Sequence, residues 1–511
     1  MPRGVDYHLE VVLDGNKRNE SGVMDSLSQQ PGRLVERLCL VAILVLAFFM
    51  ASIPHWQYLY PLHIDEWWHY GDAQSLIETG RISFPDPFDS GTLLSPDKEL
   101  GFHLFLGELK LITGASWLNL VRFLPGIIFA LLAFLAYAFG KRSGFGLGAA
   151  FLVALIPTTI RFLGPAFLVP VALGLTFIPL TLLTLHRLMF DLRGPVVLFL
   201  IFVSLLFIHP PTLAVISVIA VIHFIFFLLP GGERARSRAW QSVVALAFLV
   251  SIYGLMFLWA PSELDFIVKE ATDPEAHLAV PPIWDALPKF GYVPVALFLM
   301  GAGILIYRGK RHDWAMVLSA AGLLAFEQLY PRFYIGPDIV YERGWLYTYV
   351  MMALLGGVAL RELAHWIRTA LKRRPATSAA ASYALIGVIV VWALTVGVRS
   401  HLSERYYHVI DDATYQDFLW VKEYVPPQYR IGVVDTAVAW PFASVSGKFA
   451  YAAEVAPNFH AKGRSAMEFL RDGASDTSWL KEKGITIVYT PWAIENNELI
   501  KVHNNVYLLV E

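Results

Sequence analysis

Long apolar runs, broken by short polar connections, recur along most of the chain. A helix that crosses a bilayer needs about 20 mostly apolar residues, because a hydrocarbon layer about 30 Å thick is spanned at about 1.5 Å per residue. By that criterion the pattern predicts about eleven spans. They run from Leu38 to Ile53, Trp117 to Phe139, Phe145 to Ile160, Ala166 to Leu185, Pro195 to Ile208, Thr212 to Leu229, Val243 to Ala260, Tyr292 to Tyr307, Trp314 to Tyr330, Trp345 to Leu363 and Tyr383 to Val398. Residues 1–33 are polar and aperiodic, which predicts a disordered cytoplasmic tail. A cleavable signal peptide fits this leader poorly, because its charged part is too long.

Beyond residue 400 the pattern changes. An amphipathic stretch covers Ala413 to Tyr424, and β-type runs follow at Arg430–Val434, Ile485–Tyr489 and Asn505–Val510. Helical patterns lie between them at Ser465–Leu470 and Thr477–Lys483. Three parts are therefore expected: the tail, a membrane domain over 34–399 with long outer loops at 54–116 and 261–290, and a small soluble extracytoplasmic α/β domain over 400–511.

Composition sharpens this picture. The chain is 56% hydrophobic and 16% charged, whereas a soluble domain is about a quarter charged. A net charge of -2 gives no general attraction to nucleic acid. The single cysteine, Cys39, excludes an internal disulfide framework and a cysteine-based metal site.

Charge also orients the spans. Basic loops at Lys141/Arg142, Arg187/Arg193, Arg234/Arg236/Arg238, Arg308/Lys310/Arg311 and Arg361 to Arg374 alternate with loops of other character. The positive-inside rule puts the basic set and the N-terminus in the cytoplasm. The opposite face then receives 55–116, the turns at Arg161 and His209, 261–290, the turn 331–343 and everything after Arg399. The expected protein is a multi-pass plasma-membrane protein whose unusual polar residues gather outside the cytoplasm.

The most informative of these lie in the first outer loop, His63-Ile64-Asp65-Glu66-Trp67-Trp68-His69-Tyr70-Gly71-Asp72. Adjacent carboxylates at a membrane boundary are costly unless solvated, paired or used. On a helix beginning near Asp65, Glu66 and His69 share a face, as do His69 and Asp72. The same acids also suit a helix start, with Asp at the N-cap and Glu in the first turn.

An acidic pair in the first long outer loop, immediately after the first of about eleven spans and followed by a soluble C-terminal domain, resembles the GT-C superfamily of membrane glycosyltransferases. The tail phrase Arg471 to Asp476, before Trp479-Leu480 and Ile485–Tyr489, is similar to tails of prokaryotic members. The resemblance implies a polytopic helical GT-C-like fold and a hexosyl- or pentosyltransferase with a polyprenyl-phosphate-linked donor. It also implies an extracytoplasmic glycan, lipid or protein acceptor. Its catalytic base would be Asp65, with Glu66 as the second acid.

Such a reaction has plain physical needs. An acceptor hydroxyl is a poor nucleophile and needs a carboxylate to take its proton. A departing lipid phosphate needs fixed cations, for which the planar guanidinium is suited. Arg343, Arg332, His209, Arg161 and Lys269 are the candidate phosphate ligands, with Glu342 a competing partner for the arginines. His69, Trp67, Trp68 and Asp72 are the candidates for holding acceptor or sugar. Asp65 and Glu66 would be the ligands of a hard divalent ion, Mg or Mn, if one is used. The alternative reading is a transporter or lipid flippase, which predicts ionisable groups near the bilayer midplane.

Overall fold

In the computed structural model the described residues are 18–89, 93–94, 99–160, 162–187, 192–229, 233–259, 283–333, 338–370, 375–404, 406–453, 459–494 and 496–510. The first helix, α1 (Arg18–Ser52), starts within the stretch expected to be a disordered tail. Once a helix is nucleated, propagation adds one hydrogen bond per residue, so the apolar span extends into its polar leader. It is followed by α2 (Ile64–Thr79), α3 (Leu100–Thr113), α4 (Trp117–Gly140), α5 (Gly146–Val153), α6 (Pro170–Leu175), α7 (Phe177–Arg187), α8 (Arg193–Ile208) and α9 (Pro210–Leu228). Then come α10 (Glu233–Trp259), α11 (Ile283–Phe290), α12 (Tyr292–Arg308), α13 (Arg311–Phe333), α14 (Asp338–Ala370) and α15 (Pro375–Ser403).

Among the described residues six helices are long and apolar enough to cross a membrane: Arg33–Trp56, Trp117–Ser143, Pro170–Arg187, Pro210–Leu228, Arg238–Leu255 and Arg343–Ile367. Shorter apolar helices cover Arg193–Ile208, Tyr292–Arg308 and Gly387–Arg399. Helix α14 is the centre of the bundle, with Trp345 to Leu355 buried among α5, α12, α13 and α15. By contrast α1 leaves Leu34, Val35, Leu38, Val41 and Val45 more than half exposed. An apolar stripe of that length facing outward suits lipid, not water.

The expected span Phe145 to Ile160 takes another form. Helix α5 ends at Val153, and the chain then runs irregularly through the core to α6. Pro157, Pro165 and Pro170 explain the break, since each removes an amide donor and disfavours helix in the residue before it. Irregular backbone at membrane depth survives only where its polar groups are satisfied inside the protein. Here Thr158 Oγ1 accepts from Ala166 N (3.0 Å), Thr159 Oγ1 from Phe162 N (3.1 Å), Glu404 Oε1 from Ile160 N (3.2 Å) and Glu66 Oε1 from Leu168 N (2.7 Å).

The C-terminal part contains α16 (Asp412–Tyr424), α17 (Ala439–Ser446), α18 (Phe459–Arg471) and α19 (Thr477–Lys483). A two-residue pair in the first loop, β1 (Phe84–Pro85) and β2 (Leu93–Leu94), precedes the main strands β3 (Ile431–Val433), β4 (Phe449–Ala450), β5 (Ile487–Tyr489), β6 (Leu499–His503) and β7 (Val506–Leu509). The five form one sheet in the order β4-β3-β5-β7-β6, parallel across β4-β3-β5 and antiparallel beyond.

Period-two alternation divides the β5 side chains. Val488 joins Ala466, Phe469 and Leu480 in one apolar layer, while Ile487 and Tyr489 join a layer containing Phe418 and Phe442. That second layer is continuous with Trp67, Tyr70, Phe88, Phe102 and Trp117 of the first outer loop and α4. The sheet domain and the first loop therefore share one core. Helix α17 lies directly on α2, where Ser444 Oγ donates to Trp67 O (2.8 Å). Gly71 permits this approach, since a Cβ there would run into the Phe88 ring and come within 2.8 Å of Ser444 Oγ.

Candidate active site

The start of α2 assembles the site. His63 is its N-cap in an extended conformation, and the His63 Nδ1 accepts from Asp65 N (3.1 Å). Glu66, three residues on, closes a capping box in which histidine stands where serine or threonine is usual. Its Oε2 accepts from Leu62 N (2.6 Å) and His63 N (3.2 Å), while Oε1 holds Leu168 N of the irregular segment. Burial pushes its carboxyl up to about 8, against the pull of these three amide donors. Glu66 is thus engaged on both oxygens.

Asp65 faces the other way. Its Oδ2 lies 3.4 Å from Arg343 Nη2. The second turn of α14 thereby meets the first turn of α2 across 278 residues of sequence. Asp65 keeps 30% of its side-chain surface open and Arg343 keeps 12%, so the pair is reachable. Burial opposes the charged form of Asp65, but His63 and Arg343 outweigh it and hold the carboxyl well below the usual carboxylate range. The N-terminus of α2 favours the same ionised state.

A chain of imidazoles and acids continues from this pair. His69 Nδ1 lies 3.0 Å from His103 Nε2, whose other neighbour is Asp72 Oδ2 at 3.8 Å. Glu99 stands between His69 Nε2 (3.9 Å) and His209 Nε2 (3.6 Å). It does so from a left-handed backbone conformation, φ 51°, at the N-cap of α3. A non-glycine residue there costs about 1–2 kcal/mol, a strain that concentrates at functional sites. Burial lowers His103 to about 3 and, with the help of His103, takes His69 well below its ordinary value, so both rings are neutral at pH 7.

His209 caps α9. Its Nδ1 accepts from Thr212 N (3.2 Å) and lies 2.7 Å from Thr212 Oγ1, which in turn is 2.7 Å from Tyr347 OH. An accepting Nδ1 leaves the proton on Nε2, directed to Glu99.

The structure therefore brings together Asp65, His69, Asp72, His209 and Arg343, with Glu66 behind them. Trp68 is half-buried and stacks on His69 at 5.4 Å and 13°. Trp67 presents no surface to a ligand, being sealed in the core shared with the sheet domain. Arg161 and Lys269 lie outside the described residues, as do the side chains of Arg332 and Glu342. For a divalent ion the donor set does not fit: both Glu66 oxygens are taken by amides, and among the described residues no three His, Cys, Asp or Glu side chains stand close enough to hold a metal.

Glu99, His103, Thr212, Tyr347 and Glu327 join the site without having been expected there. Glu327 of α13 is 1% exposed, and neither of its oxygens finds a hydrogen-bond partner among the described residues. It presses on the residue after Arg343: a Cβ on Gly344 would overlap its Oε1. A lone carboxylate in the apolar run Leu323 to Tyr330 was the signal that could have found it.

The fold has solved counterparts. The chain resembles the archaeal oligosaccharyltransferase AglB from Archaeoglobus fulgidus, solved in complex with an inhibitory peptide and a dolichol-phosphate (TM-score 0.57, 13% identity, 89% of this chain and 69% of that one). It also resembles ArnT from Cupriavidus metallidurans bound to undecaprenyl phosphate (TM-score 0.56, 11% identity, 94% of this chain and 98% of that one). A third is the arabinofuranosyltransferase AftD from Mycobacteria (TM-score 0.53, 14% identity, 92% of this chain but 39% of that one). No family model and no curated protein matches the chain. The chain has the fold that these three proteins share.

Proposed function

We propose that this protein is a membrane glycosyltransferase that moves a hexose or pentose from a polyprenyl-phosphate donor to an extracytoplasmic glycan, lipid or protein acceptor. The observation that carries the reading is the Asp65–Arg343 pair at 3.4 Å, partly open and set in a GT-C fold. Asp65 is the base and Arg343 the phosphate ligand. Paired in the resting state, the two neutralise each other. An arriving donor phosphate draws the guanidinium away by offering it two acceptor oxygens. Losing its cation restores basicity to Asp65 as substrate arrives.

The acceptor oxygen then attacks the anomeric carbon while Asp65 takes its proton. The bond from that carbon to the phosphate oxygen breaks, and its electron pair leaves with the lipid phosphate. Attack from the face opposite the phosphate inverts the anomeric centre. His209, with its Nε2 proton directed into the site, assists the phosphate, and Trp68 with His69 forms a surface for a sugar ring. Glu66 is a positioning residue: it ties the start of α2 to the irregular segment and so aims Asp65.

About eleven spans with the N-terminus in the cytoplasm remain our reading of the topology. In its support, Arg142, Arg187, Arg238 and Arg308 gather around one cavity, near the C-terminal end of α9, while His209 marks the other end.

Glu327 favours a second reading, since a buried carboxylate in an apolar helix, without a partner among the described residues, is what a transporter uses. One assay separates the two. Purified protein is given a panel of polyprenyl-phosphate sugars, and release of lipid phosphate is measured for wild type and Asp65→Asn. Transfer requires release by wild type and a loss of about 10²–10⁴ in the variant. Equal rates would remove Asp65 as the base, and no release from any donor would leave the transporter reading in possession.

A further inference from the structure

A groove opens beside the start of α2, between the stretch that follows α1 and the stretch that leads into α16. Its lining comes from residues 57–60 on one side and 408–412 on the other, around a cavity of about 620 Å³. That falls within the range of about 300–1,000 Å³ usual for ligand sites. Two tyrosines tie its sides together. Tyr58 OH donates to Ile410 O (2.9 Å) and accepts from Ile410 N (3.3 Å), 352 residues away in sequence. Tyr60 OH donates to Asp412 Oδ1 (2.7 Å).

The chemistry of the lining is set before any ligand arrives. The Tyr58 ring stacks on His408 at 4.1 Å and 17°, and His408 is exposed, so the two form a fixed aromatic platform. Asp411 Oδ1 accepts from Thr414 N (2.8 Å) as the N-cap of α16, which holds this carboxylate in place as Tyr60 holds that of Asp412. Both acids are exposed, and so is Gln57, which adds an amide. A flat ring face beside fixed carboxylate and amide oxygens complements a sugar. The C–H face of the sugar packs on the ring, and its rim of hydroxyls donates to the oxygens. Aromatic residues at a membrane boundary often serve only as a belt in the headgroup layer. Trp56, 61% exposed, fits that role. Tyr58 is half-buried and Tyr60 buried, each bonded to the tail, and they do not.

The groove adjoins the Asp65 site. Tyr407 N donates to Leu62 O (3.1 Å), and the Tyr407 ring lies 5.2 Å from that of His63, the cap of α2. Asp65 follows Tyr60 by only five residues, at most about 18 Å even in fully extended chain. We propose that this groove binds a neutral oligosaccharide, the sugar units of a glycan acceptor that precede the one whose hydroxyl meets Asp65. An acidic sugar would be repelled by the two carboxylates. The acceptor role rests on the transferase reading, whereas the binding itself uses none of the residues around Asp65.

The test uses the full chain in detergent with neutral tetrasaccharides of glucose, mannose, galactose and arabinose, and with phosphocholine as a competing headgroup. Binding is read by saturation-transfer NMR. Wild type should bind at least one saccharide. His408→Ala removes half of the platform, and Asp412→Asn keeps an acceptor for Tyr60 while losing the charge. Each should weaken that binding about 10-fold. No binding from the whole panel would overturn the inference, as would unchanged affinity in either folded variant. Phosphocholine bound in place of the saccharides would also overturn it and give the groove to a lipid headgroup. Should His408→Ala fail to fold, Asp411→Asn, which preserves the helix cap, replaces it. Binding and transfer fail separately. Saccharide held in the groove by a protein that releases no lipid phosphate keeps the groove and removes the transferase reading. Transfer by a protein whose saccharide binding ignores these variants does the reverse.

Discussion

The two ends of the helical bundle set their cationic side chains in different surroundings. Around Asp65 each cation or imidazole has an acid beside it: Arg343 meets Asp65, His209 meets Glu99, and His103 meets Asp72. Around the opposite cavity Arg142, Arg187, Arg238 and Arg308 gather with His186, His312 and Asp313, and apolar side chains complete the wall. A matched set can exchange partners when a ligand arrives, which is what bond making requires.

The largest effect expected from breaking this contrast is at Arg343. Arg343→Gln should lower turnover about 10²–10³-fold by removing the cation proposed to meet the leaving phosphate. Arg343→Lys should recover part of it, since charge returns without the planar fork. Steady-state rates of lipid phosphate release check both, and a Gln variant as fast as wild type would reduce the matched pair to a structural feature.

A smaller effect is expected one residue on. Gly344→Ala would drive a methyl group into Glu327 Oε1 and should cost about 1–3 kcal/mol of stability by overpacking. Thermal unfolding reads this cost. Unchanged unfolding together with unchanged turnover would show that the α13–α14 contact does not set Arg343.

The smallest effect sharpens the contrast through pH. His103 is held to about 3 when folded, against 6.5 in the unfolded chain. Between those values the unfolded state binds a proton that the folded state refuses, so stability falls as pH falls below 6.5. This group contributes at most about 1.4 kcal/mol per pH unit. Unfolding at pH 7.5 and 5.5 should show that loss in wild type and less of it in His103→Gln. An identical slope in both would mean that the ring protonates freely in the fold.

Much of this architecture could be read from side-chain periodicity. Alternation marked β3, β5 and β7, and helical spacing marked α16, α18 and α19, because their faces differ in polarity. Helix α17 escaped notice because it is buried along its whole length and so carries no polar face to reveal a period. The segment after α5 read as a span because hydropathy counts its prolines as neutral, whereas the backbone cannot stay helical through them. At the site, the acids and Arg343 stood out as charges at membrane boundaries. The division of labour between Asp65 and Glu66 did not, because it depends on which amides lie within reach, and one of them belongs to Leu168, over a hundred residues away.

The seam at Gly71 carries a consequence for inheritance. With Trp67, Phe88, Phe418 and Phe442 in one oily layer, neither half owns a finished surface. Cutting the chain before α16 would bare a sticky face on both pieces and strip the roof from α2. Grafting the tail of a distant cousin would fail in the same way unless the cousin's α2 came with it, so the two stretches are bound to drift together through descent.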